Sequence, residues 1–193
     1  MTFNEIKAIL KNKCVGIAGC GGLGSNVAVA LARVGVGRLV IADFDVISES
    51  NLNRQYFFFD QIGFSKAEKL HENIARINPY TLVDAHSCVL DKENIPSLFR
   101  HCDVVVEAFD GADMKQMLIE VMTEKLHHIP VVAGNGMAGW GNNETIHETQ
   151  YGNLYICGDN ISEVNDNNPA LAPRVGIVSH MQANVVLSIL LSN

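Results

Sequence analysis

Apolar positions in this chain fall into short continuous runs that alternate with helix-spaced stripes. Cys14-Val-Gly-Ile-Ala-Gly19 is an apolar run ending in glycines and reads as a strand buried on both faces. A short amphipathic helix precedes it. Leu23 to Val34 carries apolar residues at helical spacing, Arg38 to Asp43 gives a second buried strand, and a polar loop runs through Gln55. Ser65 to Ile77 predicts a helix closed by Asn78-Pro79. Thr81 to Ser87, Asp103 to Glu107 and Pro130 to Ala133 then read as strands, separated by helices from about Asn94 to His101 and from Ala112 to Leu126. This alternation predicts an α/β fold, a Rossmann-like doubly wound, mainly parallel sheet.

The pattern changes after Gly134. Thr145 to Tyr151 and Asn153 to Cys157 read as a hairpin turning at Gly152, which predicts antiparallel edge strands toward the C-terminus. Gly158 to Asn168 is polar, rich in Asn and Asp, and the best candidate for a mobile segment; Gly176 to Leu191 closes the chain as an apolar helix. A chain of 193 residues suits one core, so residues 1–193 read as a single domain.

Composition narrows the function. The net charge is −7 and the 14 Lys and Arg residues form no run, which argues against a nucleic-acid surface. The N-terminal segment lacks a signal-peptide pattern, and no stretch reads as the ~18 uncharged apolar residues of a membrane span, so a cytoplasmic location is expected. The five dispersed cysteines contain no C-x-x-C pair, which fits reduced thiols and neither a disulfide framework nor a zinc cluster.

Gly19, Gly21 and Gly24 match G-x-G-x-x-G directly after a strand and at the mouth of a helix, with Gly22 as a fourth glycine. Glycines there let main-chain N–H groups and the helix N-terminus approach phosphate oxygens. Asp43 ends the next strand, where a carboxylate accepts hydrogen bonds from a ribose diol. These residues alone predict an adenine nucleotide, with NAD as the default. Arg54 and Lys66 follow, a planar fork and a point charge suited to phosphate oxygens; the alternative is two solvated surface charges. Asp110, just past a buried strand, either binds Mg²⁺ beside a polyphosphate or caps the helix at Ala112.

These residues together resemble the ThiF/MoeB family, related to the adenylating domains of ubiquitin-activating enzymes. The motifs are Gly19-Cys-Gly-Gly-Leu-Gly-Ser25, Asp43-Phe-Asp45, Ser50-Asn-Leu-Asn-Arg-Gln55, Gly63 with Lys66, Ile77-Asn-Pro79, Ala108-Phe-Asp110 and Ala172-Pro-Arg-Val-Gly176. The resemblance implies an ATP site in which Asp43 binds ribose, while Asn51, Arg54, Gln55 and Lys66 contact phosphates. Asp45 belongs to the same binding set, and Asp110 holds Mg²⁺ and is central to adenylation. The implied partner is a ubiquitin-like sulfur carrier ending in Gly-Gly, adenylated on its terminal carboxylate, with a homodimer as the implied assembly.

Two features depart from the family pattern. Many relatives hold structural zinc through two C-x-x-C pairs, whereas Cys157 here is followed by Gly-Asp, so no zinc is expected. Relatives also contribute an N-terminal arginine to the partner's site, yet the first arginine here is Arg33. Cys157 is the one candidate thiol in the C-terminal part, though free cysteines are more often buried hydrophobes. The glycines around Trp140, or the Gly158 to Asn168 tract, are expected to border the carrier tail's path. The leading expectation is ThiS-type activation for thiamine thiazole synthesis. MoeB-type activation, a tRNA-dehydratase-like reaction, an NAD-dependent oxidoreductase and a non-catalytic nucleotide-binding module remain as alternatives.

Overall fold

The computed structural model describes residues 1–192. Helix α1 (Phe3–Leu10) starts at a capping box in which Thr2 and Glu5 satisfy each other's backbone N–H groups. The chain then runs β1 (Cys14–Ala18), α2 (Gly22–Val34), β2 (Arg38–Ala42), α3 (Lys66–Ile77), β3 (Leu82–His86), α4 (Asn94–Phe99), β4 (Val104–Glu107) and α5 (Ala112–Lys125). It finishes with β5 (Val131–Gly134), β6 (His147–Tyr151), β7 (Leu154–Gly158) and α6 (Ala172–Ser192). The strands form one seven-stranded sheet in the order β3-β2-β1-β4-β5-β7-β6.

The apolar runs are explained by what covers the sheet. Val15, Ile17, Leu39, Ile41, Val104 and Val106 face one hydrophobic cluster shared with α2 and α6. Ala18, Val40, Ala42 and Val105 alternate with them into a second cluster under α4 and α5. Both faces are dry, so period-two polarity disappears, as a doubly wound sheet requires. Phe99 lies so close to β1 that a Cβ on Gly16 would sit 2.6 Å from its ring.

At the C-terminal edge β6 and β7 pair antiparallel, but β7 itself runs parallel to β5. Helix α6 begins at Ala172, four residues before the expected Gly176, because Pro173 is tolerated in a first turn. Seen from that start, α6 is the one helix among the described residues long and apolar enough to cross a membrane, with mean hydropathy 1.5. That corrects the expectation that no such stretch exists. Its buried residues, from Val175 through Val186 to Leu190, nevertheless pack into the cluster shared with α2, which is the behaviour of a core helix. The polar tract Gly158 to Asn168 is hydrogen-bonded to its surroundings: Asn160 N–H donates to Asn135 O, and Ala138 N–H to Ser162 Oγ.

Strand order reverses between β1 and β4, so the crossovers diverge there. The crevice this opens lies at the carboxyl ends of the strands, where open α/β sheets take ligands.

Candidate active site

The turn from β1 into α2 is built by two glycines that no other residue replaces. Gly19 has φ +96° and donates its N–H to Ala42 O at 2.9 Å. A Cβ on Gly24 would stand 1.8 Å from Gly19 O, so the helix can press against the strand end only without one. Gly21 precedes the helix, and its carbonyl accepts from Ser25 Oγ at 2.6 Å. The first N–H groups of α2 therefore open onto the crevice, a site ready for anions.

A cavity of about 200 Å³ lies beside this turn, lined among others by Gly19, Gly21, Asp43, Asp45, Lys66 and Asp110. Asp43 Oδ2 accepts from Cys20 N–H at 2.7 Å and Oδ1 from Asp45 N–H at 2.8 Å. The carboxylate thus ties the glycine turn to the loop after β2, with lone pairs left for a diol. Burial raises the Asp43 pKa, opposed by these two N–H groups and by Lys66. Lys66, with its side chain only 6% exposed, reaches Asp45 Oδ2 at 2.7 Å, while its backbone N–H donates to Asp45 O. Phe44, Leu90 and Met114 supply apolar walls.

A larger groove of about 470 Å³ lies alongside and shares Phe109 and Asp110 with the cavity. Arg54 and Lys115 line it, with Gly22 between the helix and the Arg54 stem. Arg54 Nη1 donates to Ser50 O and Asn53 Oδ1, which aims the guanidinium without neutralising it. Lys115 bonds both carboxylate oxygens of Glu107, at 3.1 and 2.9 Å, and Gly134 O. Glu107 is fully buried; burial raises its pKa and Lys115 opposes the rise. Asp110 is exposed on the rim common to both cavities.

The structure therefore gathers Gly19, Gly21, Gly22, Asp43, Asp45, Arg54, Lys66 and Asp110 around one edge, with Gly24 behind the turn. Gln55 is buried against Gly21, and its Oε1 has no hydrogen-bond partner. Asn51 is not brought to either lining: its Oδ1 accepts from Ser48 N–H at 3.0 Å and closes a 3-10 turn. Cys157 is fully buried, and burial with Glu148 nearby pushes its thiol up to about 12, so it is no nucleophile in this state. Among the described residues no three His, Cys, Asp or Glu side chains cluster as a metal site.

Sequence reasoning missed Lys115 and Glu107, and it quoted Arg174 only as part of a motif. The available signals were a lone acid in the buried Val-Val-Val-Glu strand and a lone arginine in an apolar closing helix.

The sequence profile of the ThiF family matches residues 4–193. The chain is 35% identical over 187 residues to adenylyltransferase and sulfurtransferase MOCS3 of Caenorhabditis briggsae, covering 93% of this chain and 46% of that protein. It is 37% identical over 119 residues to SAMP-activating enzyme E1 of Haloferax volcanii, covering 61% of this chain and 43% of that protein. The chain spans about half the length, or less, of the curated relatives it matches. Among solved structures, E. coli tRNA N6-threonylcarbamoyladenosine dehydratase TcdA in complex with ATP superposes with a TM-score of 0.87 at 21% identity, covering 97% of this chain and 89% of that one. At that identity the likeness speaks for the fold.

Proposed function

The chain belongs to the ThiF family, and from that premise we propose that it adenylates the C-terminal glycine carboxylate of a small ubiquitin-like sulfur carrier, at the expense of ATP. The observation that carries this reading is Asp110 on the rim shared by the cavity lined by Asp43 and Lys66 and the groove lined by Arg54 and Lys115. Relatives named adenylyltransferase and SAMP-activating enzyme support the reaction class and the kind of partner. A plain NAD site has no need of the second compartment with Arg54 and Lys115.

In the reaction a carboxylate oxygen of the carrier attacks the α-phosphorus. The new acyl–oxygen–phosphorus bond forms, the bond to the β-phosphate bridge breaks, and pyrophosphate leaves with its electron pair. The chain's task is to bring two anions together and to hold charge on the phosphoryl oxygens. Asp43 binds the ribose diol, and the N–H groups at the start of α2 meet phosphate oxygens. Lys66 exchanges Asp45 for phosphate, and Arg54 faces the groove from which the carboxylate arrives. Gln55 braces the glycine turn. The exposed Asp110 carboxylate would hold a magnesium ion here, an oxygen ligand of the kind that hard cation takes, and the ion would supply charge neutralisation beside the polyphosphate.

The carrier assigned is ThiS-like, serving thiamine thiazole synthesis in the cytoplasm, with the enzyme as a homodimer. ATP–pyrophosphate exchange tests this reading with a ThiS-like carrier, a molybdopterin-type carrier and no carrier. Exchange that depends on the ThiS-like protein is expected; exchange only with the other carrier, or NADH binding without exchange, refutes the assignment. Asp110→Ala lowers exchange by about 100-fold or more while circular dichroism stays unchanged.

A further inference from the structure

We propose that Arg174 is a positioning residue: through its buried ion pair with Asp159 it braces the loop after β7 as the outer wall of the groove, and so sets the affinity for the incoming acceptor. The wall's function rests on the adenylation reading above; its mechanics do not.

Ser162, Glu163 and Val164 line the groove together with Asp110 and Lys115, yet they belong to no strand or helix. Something has to hold them there. Asp159 does so by hydrogen bonds: it is 7% exposed, and its Oδ1 accepts from Ile161 N–H at 2.9 Å and Ser162 N–H at 2.8 Å. Its other oxygen receives Arg174 Nη2 at 2.6 Å. Burial works against this carboxylate, but the Ser162 and Ile161 N–H groups and Arg174 outweigh it and hold its pKa below the usual carboxylate range.

The guanidinium reaches further. Nη1 donates to Gly141 O, and Nη2 also meets Thr145 Oγ1 at 3.3 Å. One side chain, 4% exposed, therefore joins the wall loop, the Gly141–Thr145 segment and the first turn of α6. The next residue, Val175, lines the groove itself. The fit is tight at the other end too, because a Cβ on Gly136 would meet Asp159 Oδ1 at 2.0 Å. A buried ion pair often adds little net stability over apolar residues of the same volume, and its better-attested use is to fix register. Here the register fixed is that of the wall against the groove floor.

Arg174→Met, Arg174→Lys and Asp159→Asn test the brace. The readouts are hydrogen exchange over residues 158–168, ATP affinity by calorimetry, and exchange kinetics with a purified ubiquitin-fold carrier ending in Gly-Gly. In Arg174→Met the carrier KM is expected to rise about tenfold, with kcat at saturating carrier and ATP affinity held within about twofold. The wall amides exchange faster while β1, β4 and α2 keep their protection. Arg174→Lys and Asp159→Asn fall between, since each keeps part of the network. Wild-type protection of the wall in Arg174→Met overturns the brace, and so does ATP affinity that falls in step with carrier affinity. If Arg174→Met does not fold, Asp159→Asn decides on the same readouts. If the wild-type protein shows no carrier-dependent exchange, the adenylation reading fails, and hydrogen exchange still judges the brace.

Discussion

Gly24→Ala adds one methyl group at one of the closest backbone approaches among the described glycines. The new Cβ would lie 1.8 Å from Gly19 O, 2.9 Å from its carbonyl carbon and 3.1 Å from Ile17 Cγ2. Two of these neighbours are backbone, so no side-chain rotation relieves the overlap. Restoring an ordinary contact of about 3.4 Å moves the start of α2 by roughly 1.5 Å. That end is pinned by Ser25, whose hydroxyl donates to Gly21 O and accepts from Tyr56 N–H, and α2 is packed into the core cluster that α6 shares. Overpacking a core ordinarily costs about 1–3 kcal/mol, and a backbone clash belongs at or above the top of that range. Alanine's better helix propensity returns about 1 kcal/mol. The net loss is about 2 kcal/mol or more, a fall in Tm of roughly 4–8 °C for a chain of this size.

Gly21→Ala supplies the control. Its nearest neighbour would be Gln55 Nε2 at 3.7 Å, ordinary contact, and its φ is −78°. Alanine at this helix N-cap should cost about 1 kcal/mol, less than the clash at Gly24. Gly21 nevertheless lines the nucleotide cavity, so ATP affinity falls. Urea denaturation with calorimetric ATP titration separates the two effects. A Gly24→Ala protein as stable as the parent, or a Gly21→Ala protein less stable than Gly24→Ala, would refute this account of the glycine turn.

Two other substitutions or modifications read the buried charges and thiols. Lys115→Met strands the fully buried Glu107 carboxylate and costs about 3–5 kcal/mol near neutral pH. Burial already raises the Glu107 pKa, and losing Lys115 raises it further, so the Glu107 contribution to this variant's stability is fully present below the unfolded value of about 4.3 and is lost as pH rises through the folded value. Urea midpoints at about pH 5.5 and about pH 7.5 should show the variant recovering on the acid side relative to the parent; a deficit independent of pH contradicts the burial argument. Cys88 lines the nucleotide cavity, so ATP should slow its alkylation by iodoacetamide, as read by peptide mass spectrometry. Cys14, whose pKa is lowered by its hydrogen bond with Cys102, reacts earlier and without regard to ATP, whereas buried Cys20 reacts only on unfolding.

The parts of the fold that were legible are those in which local pattern and tertiary burial demand the same residues. A strand covered on both faces has to be apolar throughout, which is why β1, β2 and β4 could be read from Val15, Ile41 and Val105 without alignment. The hairpin at Gly152 was visible as well, but which of its strands would adjoin β5 is decided by crossover geometry that no turn residue encodes. The start of α6 was hidden by Ala-Pro-Arg, a loop-like triplet whose arginine is buried only because Asp159 meets it from another segment. Asn51 shows the opposite limit. Its place in a motif suggested a phosphate contact; its amide oxygen closes a local turn, which leaves free the Nδ2 donor a phosphate would need, but the residue lines neither cavity.

Those buried pairs also explain how an acidic chain manages an anionic substrate. At rest Lys66 is matched by Asp45, Lys115 by Glu107 and Arg174 by Asp159. Of the three cations that line the two cavities, Lys66, Lys115 and Arg54, Arg54 alone has no carboxylate partner among the described residues. With a net charge of −7 and its local cations mostly neutralised, the site gains little from long-range attraction of ATP. On the adenylation reading proposed above, affinity comes from short-range terms: the N–H groups at the start of α2, Arg54, and the exchange of Asp45 for phosphate at Lys66. That exchange is inexpensive because Asp45 is about half exposed (48%) and returns to water, while Lys66 stays buried and paired throughout. Glu107 is fully buried and has no such exit, so Lys115 stays where it is and shapes the groove as a fixed charge.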